Sequence, residues 1–493
     1  MNALAPLLPE GLLAAGLMGV LLVELGERPR QRGTALWLGI AASAAAAATA
    51  CTAAGGTVAD MLAFDRIALL ARPAIAAVTM LVLLAGLGQR QAGERARDAG
   101  AWTTTVLGTG LGAMIVAAAS NVIALWLGLE LVALSSYALA AWGTGTRAGD
   151  RRAAEAGMKY VLFGGIATAL MLFGISHLYG LTGHFDFAGI GRELVGMPLA
   201  ATAALLLAAT GAAYKLTIVP FHFYSPDVYQ GAPPLGIAAA TAAPKLAVGA
   251  ALLRAVAAML PPSTTAEPAT LPASVAAGLA VAASASLLVA ALLALAQRDA
   301  KRIVAFSGIG HGGTVLLALA GAPDPLAAAT VLHYLLAYAA ANVGALVCLA
   351  AIERRHGSCE LAALPGAGAE RPWLAAALCL SLFSLAGVPP LAGFLGKWAV
   401  LQQVLARGLH GEPWLLAAAF ALLLSTAIAA WAYLLIVRAV VLMPVDPAAA
   451  AARGPAPRLP WPTAVAAAVA VLATLVLGCW LDVLPTLARA LTP

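Results

Sequence analysis

This sequence is poor in charge. Only 10% of its 493 residues are Asp, Glu, Lys or Arg, against about 25% in a soluble globular domain. Hydrophobic residues make up 62%, and mean hydropathy is +0.92. This balance excludes an ordinary water-soluble domain and points to a chain that crosses a membrane many times. Cysteine is sparse and odd in number (Cys51, Cys348, Cys359, Cys379, Cys479), with no C-x-x-C. That pattern excludes the usual iron–sulfur and zinc ligand sets. No basic domain exists, so the net charge of +6 does not imply nucleic acid. The opening MNALAPLLPEG lacks a basic region, so the first hydrophobic segment is expected to be a retained helix, not a cleaved signal. GIGHGG (Gly308 to Gly313) fits a dinucleotide pattern, but no strand precedes it and its surroundings are apolar and helical. It is read as helix, and the chain carries no visible means of handling electrons.

Lysine is scarcer still. Lys159, Lys215, Lys245, Lys301 and Lys397 stand against twenty-three arginines. Four of the five fall inside hydrophobic runs; Lys301 reads as a loop residue. Arginine keeps its proton in proteins, whereas a lysine in apolar surroundings can lose it. Arginine is thus used for permanent charge, and lysine where the chain is most apolar.

Hydrophobic runs of spanning length are expected at 11–26, 34–55, 67–88, 102–119, 121–142, 158–182, 199–219, 235–260, 271–297, 303–321, 325–352, 373–406, 413–440 and 462–485. That makes an all-α polytopic membrane protein of about fourteen helices. Eighteen positive charges fall on odd-numbered loops, among them Arg28, Arg151, Arg302 and Arg354. The even loops and the tail hold five: Arg66, Arg72, Arg192, Arg407 and Arg489. The positive-inside rule then puts odd loops in the cytoplasm and both termini outside.

Two segments are interrupted. The seventh runs into Pro220 and PFHFYSPDVYQGAPP; the twelfth is broken by Gly387 and Pro389-Pro390. Proline removes an internal hydrogen bond and breaks or kinks a helix. Breaks at matching places suggest two inverted five-helix repeats, at 101–262 and 263–443. Three helices precede them (1–100), and a loop and last helix follow (444–493). Two ordinary proline kinks are the plainer alternative.

Glu130 lies near the middle of the fifth segment, and Lys215, Lys245 and Lys397 lie within others. A charge at a helix centre costs about 2.5–3.5 kcal/mol. Four cost on the order of 10 kcal/mol, comparable with the whole stability of a domain. Glu130 and Lys215 could be a static ion pair. That reading fails for Lys245 and Lys397, which lack an intramembrane acid and must face water or be neutral part of the time. Lys215 and Lys397 adjoin the two breaks, where freed backbone groups hold water. The three form an expected proton relay. Lys159, four residues after Glu155, could join it or simply pair with that acid. His311 and His333 could relay protons or be packing hydrogen-bonders. Ser307, Tyr338 and Asn342 could line the path. His222, Tyr224 and Asp227 could admit water or form a plain polar loop.

At these residues the sequence resembles the subunit N family of bacterial respiratory complex I, the proton-pumping NADH–quinone oxidoreductase with antiporter-like membrane subunits. The segments are KLTIVPFHFYSPDVYQGAPPLGIAAATAAPKLA (from Lys215), LGLELVALSSYALAAW (from Leu127), EAGMKYVLFGGIATALMLFGISHLYGLTG (from Glu155), AQRDAKRIVAFSGIGHGG (from Ala296) and LAGVPPLAGFLGKWAV (from Leu385). PDVYQGAP is the most specific of them. The resemblance implies fourteen helices with two inverted repeats, and a role for Glu130 and Lys215 as a controlling pair. It implies Lys245 as central and Lys397 as terminal relay lysine; His333 departs from the family pattern. It also implies partners: neighbouring antiporter-like and small membrane subunits in a bacterial inner membrane. NADH, FMN, iron–sulfur clusters and quinone would belong to other subunits, with no cofactor in this chain. A multisubunit sodium/proton antiporter or membrane-bound hydrogenase is the alternative parent, and a passive scaffold the non-transport reading.

Overall fold

A computed structural model describes residues 4–26, 33–91, 99–143, 147–194, 198–259, 273–320, 325–445, 447–480 and 482–491. Arg28, Arg30, Arg32, Arg95 and Arg97, counted above in the loop charges, lie outside them. The first three long helices are α1 (Leu8–Leu25), α2 (Thr34–Thr52) and α3 (Arg66–Gln91), with a hairpin of β1 (Gly56–Val58) and β2 (Leu62–Phe64) before α3. Then come α4 (Ala99–Ala118), α5 (Val122–Ala140), α6 (Arg147–Thr182), α7 (Phe187–Glu193), α8 (Pro198–Ala208), α9 (Thr210–Leu216), α10 (Ser225–Gly231) and α11 (Pro234–Met259). The rest are α12 (Ala273–Leu295), α13 (Ala300–Ala320), α14 (Pro325–His356), α15 (Ala367–Glu370), α16 (Pro372–Ala386), α17 (Ala392–Leu409), α18 (Trp414–Val437), α19 (Pro447–Arg453), α20 (Trp461–Cys479) and α21 (Val483–Leu491).

Helix dominates because a backbone in hydrocarbon must satisfy its own N–H and C=O groups. Among the described residues twelve helices are long and apolar enough to span, and the pair α8 and α9, bent by 43°, makes a thirteenth span. The remaining hydrophobic run is split into α16 and α17 around Gly387–Leu391. Every run read from the sequence is therefore helical, and the two expected to be broken are broken. The bundle centres on α11 and α13, each 94% buried over its span, against 33% for α6. Glycines let these helices approach closely. A Cβ on Gly312 would stand 2.4 Å from the Leu216 carbonyl, and one on Gly313 2.9 Å from that of Ala283. The GIGHGG stretch is thus a helix-packing face within α13.

Two of the cations read as loop residues are buried within helices. Lys301 is the second residue of α13, not a loop residue; it is buried and bonds Glu353 Oε1 at 2.6 Å and the Ala232 carbonyl at 3.2 Å. Arg72, assigned above to a loop, lies inside α3 and is fully buried. Its Nε and NH2 donate to Glu10 Oε1 and Oε2 at 2.7 and 2.5 Å, and NH2 donates also to the Pro6 carbonyl at 2.8 Å. Its guanidinium lies 4.3 Å from the Phe64 ring centroid. Nearby, Arg254 of α11 forks onto Asp65 at 2.6 Å and onto the Ala117 and Ala119 carbonyls. These two arginines join α1 and α3 to the hairpin and to the centre of the bundle.

Removing one member of a buried pair strands the other charge and costs about 3–5 kcal/mol, while replacing both by apolar residues is far milder. Arg72→Met is therefore expected to lower the melting temperature of the purified protein, and Arg72→Met with Glu10→Met to recover most of the loss. Equal melting of the single and double variants would refute the clamp.

Candidate functional site

Lys215 occupies the last turn of α9, which Thr217 ends at φ 62°. That left-handed conformation is unusual for a β-branched residue and costs about 1–3 kcal/mol. It turns the chain into the break and aims the Thr217 hydroxyl inward. Lys215 Nζ donates to Ser136 Oγ at 3.2 Å and Tyr160 OH at 3.1 Å, and lies 5.4 Å from the Tyr160 ring centroid. Glu130 accepts from Thr168 Oγ1 at 2.6 Å and lies within electrostatic range of Lys215. The two expected partners are neighbours, then, but each holds a hydroxyl instead of the other.

Lys245 follows Pro244 inside α11 and is 2% exposed. Its ammonium donates to Gly308 O at 2.6 Å and Thr217 Oγ1 at 2.9 Å, with the Tyr338 ring centroid at 5.2 Å. Lys397, in α17, donates across the second break to the Leu385 and Ala386 carbonyls at 3.0 and 3.1 Å. These carbonyls end α16, where a helix leaves its last C=O groups free and partially negative. Lys245 and Lys397 are thus held by backbone oxygens.

Two cavities lie along this row. One of about 10 Å³ touches Lys215, Thr217, Tyr229 and Thr241, room for about one water molecule. The other, of about 30 Å³, touches Ser307, His311, Tyr334, Tyr433 and Lys397, room for about two. His311 Nδ1 contacts Tyr334 OH at 2.5 Å, and its ring lies 4.9 Å from that of Tyr338. Ser307 is bonded to Tyr433, and Asn342 donates to Thr241 Oγ1 at 3.1 Å.

The structure thus brings Lys215, Lys245, His311 and Lys397 into one polar row, with Glu130 near its start. It does not bring Lys159 or His333 into it. Lys159 bonds Glu155 at 2.8 Å and Asp227 at 2.7 Å. His333 is fully buried and lines neither cavity; its ring nitrogens make no hydrogen bond of ordinary geometry, though the Ala392 backbone is close. Asp227 also binds Arg302 NH1 at 2.7 Å. Burial pushes its carboxyl up, but Lys159 and Arg302 outweigh this and hold it below the usual range. The two bridges therefore persist through neutral pH and are lost as acid takes the carboxyl through that lowered value. Thr217, Tyr160 and Tyr229 were missed by the sequence reading. The only hint was their placement beside the lysines or in PDVYQGAP.

The profile of the NADH:quinone oxidoreductase/Mrp antiporter transmembrane family matches residues 119–425. A relative from Geobacillus kaustophilus, NADH-quinone oxidoreductase subunit N, is 36% identical over 401 residues, 79% of each chain. A chain of respiratory complex I from Thermus thermophilus aligns with a TM-score of 0.75 at 28% identity, over 97% of this chain and 99% of that one. A chain of the Mrp complex from Dietzia shares the fold, with a TM-score of 0.81 at 20% identity over 100% and 97%. The chain belongs to the NADH:quinone oxidoreductase/Mrp antiporter membrane family and, within it, to the subunit N group.

Proposed function

We propose that this chain moves protons across the membrane through Glu130, Lys215, Lys245 and Lys397, driven by quinone reduction in partner subunits of an NADH–quinone oxidoreductase. The observation that carries the reading is the polar row itself. Two amines, Lys215 and Lys397, stand beside the helix breaks; the central one, Lys245 of unbroken α11, bonds Thr217 at the first break and has water-sized cavities before and after it. Water between side chains carries protons, and an amine in a low-dielectric site responds strongly to a carboxylate that approaches or retreats. Glu130 holds Thr168 in this structure, so a shift toward Lys215 is available as the trigger. His311 bridges the stretch from Lys245 to Lys397 through its contacts with Tyr338 and Tyr334.

In this reading residues 101–262 and 263–443 are the two inverted repeats. The termini face away from the cytoplasm of a bacterial inner membrane. NADH oxidation, with FMN, iron–sulfur clusters and quinone, belongs to other subunits. Neighbouring antiporter-like and small membrane subunits flank the chain. The shared fold with an Mrp complex keeps a sodium/proton antiporter as second reading, and co-purification with a quinone-reducing arm separates the two.

Lys215→Ala is expected to abolish proton transport through this chain while the complex still assembles, read as proton uptake per quinone reduced in membrane vesicles. Normal uptake would refute the relay. Thr217→Gly suits the left-handed backbone but removes a hydrogen bond to Lys245. A hydrogen bond to a charged group is worth about 1.5–3 kcal/mol, or roughly tenfold or more in rate. The variant is expected to melt no lower than the wild type yet to transport about tenfold more slowly.

A further inference from the structure

Helix α10 is the seven-residue piece that carries most of PDVYQGAP, and its two sides do different things. On one, Asp227 divides its carboxylate: Oδ2 accepts from Lys159 of α6 at 2.7 Å, and Oδ1 from Arg302 of α13 at 2.7 Å. Arg302 is held further by Gln230 Oε1 at 3.0 Å and by Gln297 Oε1 at 2.8 Å. On the other, Ser225, Val228 and Tyr229 line the small cavity beside Lys215 and Thr217. The Tyr229 hydroxyl, the Tyr338 hydroxyl and Lys245 Nζ all converge on Gly308; a Cβ there would meet them at 3.5, 3.3 and 3.1 Å. Tyr229 is 3% exposed, and among the described residues neither hydroxyl has a hydrogen bond of ordinary geometry. A buried hydroxyl left unbonded costs about 1–3 kcal/mol, and the Tyr338 and Thr241 hydroxyls are near enough to Tyr229 for a small shift of α10 to change which of them it bonds.

We propose that α10 is a lever, and that Asp227 is a positioning residue which, through Tyr229, sets the gap a proton crosses between Lys215 and Lys245. The proposal rests on the relay reading above. The lever is short and is flanked by irregular chain at 217–224 and 232–233, so it can tilt as a unit. Its outer anchor is shared between cations of two different helices. Any relative motion of α6 and α13 therefore pulls on the same carboxylate and moves Tyr229 inside.

The test is a double-mutant cycle on the assembled complex, read as protons taken up per quinone reduced in vesicles. Asp227→Asn is expected to lower the part of this ratio that Lys215→Ala removes about fivefold or more, Tyr229→Phe to lower it by a similar factor, and the double variant to be no worse than Asp227→Asn alone. Lys159→Met and Arg302→Met, each leaving one bridge, are expected to cost about twofold or less, and both together to match Asp227→Asn. Multiplying defects in the Asp227 and Tyr229 cycle would overturn the lever. So would normal uptake by Asp227→Asn while Lys215→Ala is inactive; normal uptake by both variants would instead bring down the relay reading. If Asp227→Asn does not assemble, the cycle of Arg302→Lys with Tyr229→Phe reads the same coupling, and multiplying defects there overturn it equally.

Discussion

An ammonium group seated on backbone carbonyls, in place of a carboxylate, is the interaction on which this structure depends. Lys397 sits on the free carbonyls that end α16, and Lys245 on the Gly308 carbonyl of α13. A carboxylate partner would bind the charged amine with its full countercharge and make proton loss costly. A carbonyl offers only a partial charge, so it tolerates the amine in either state. The break after α16 supplies the oxygens under Lys397, the unbroken α13 supplies the one under Lys245, and both α11 and α13 lie at the buried centre of the bundle.

The arginines show the opposite arrangement. Arg72 and Arg254 each grip a carboxylate with two nitrogens; Arg254 adds its third nitrogen to two backbone carbonyls, and Arg72 shares its NH2 between Glu10 and the Pro6 carbonyl. Such forks suit permanent charge. They stand where the first three helices meet the hairpin and the bundle, away from the polar row. Fixed cations fasten the assembly, and the lysines of the proposed relay lie in its middle. The third group, Lys159, Lys301 and Arg302, sits between these extremes, bound to acids around α10 and the start of α13.

Much of the fold was legible because the membrane imposes one rule on every helix. Run length gave the fourteen segments, and Pro220, Gly387 and Pro389-Pro390 gave the breaks. Lysine scarcity pointed to Lys215, Lys245 and Lys397. What could not be read is which way a side chain faces. The central helices are apolar on all sides, so periodicity carries no direction. Hence the partnership of His311 with Tyr334, the convergence of Tyr229 and Tyr338 on Gly308, and the grip of Arg72 on Glu10 were hidden, since each joins distant segments. The left-handed Thr217 was hidden for another reason: local preference argues against it, and the surrounding packing overrules that preference. Lys301 read as a loop residue because its hydrophobic run begins two residues later.

The seat beneath Lys397 exists only because the chain stops being helical after Ala386. Were Gly387 to Leu391 to join α16 and α17 into one straight rod, the oxygens of Leu385 and Ala386 would turn to their own amides and the amine would be stranded in oil. Kink and cation are thus a single inheritable unit. A substitution that straightened the chain there would leave the Lys397 amine without its two oxygens.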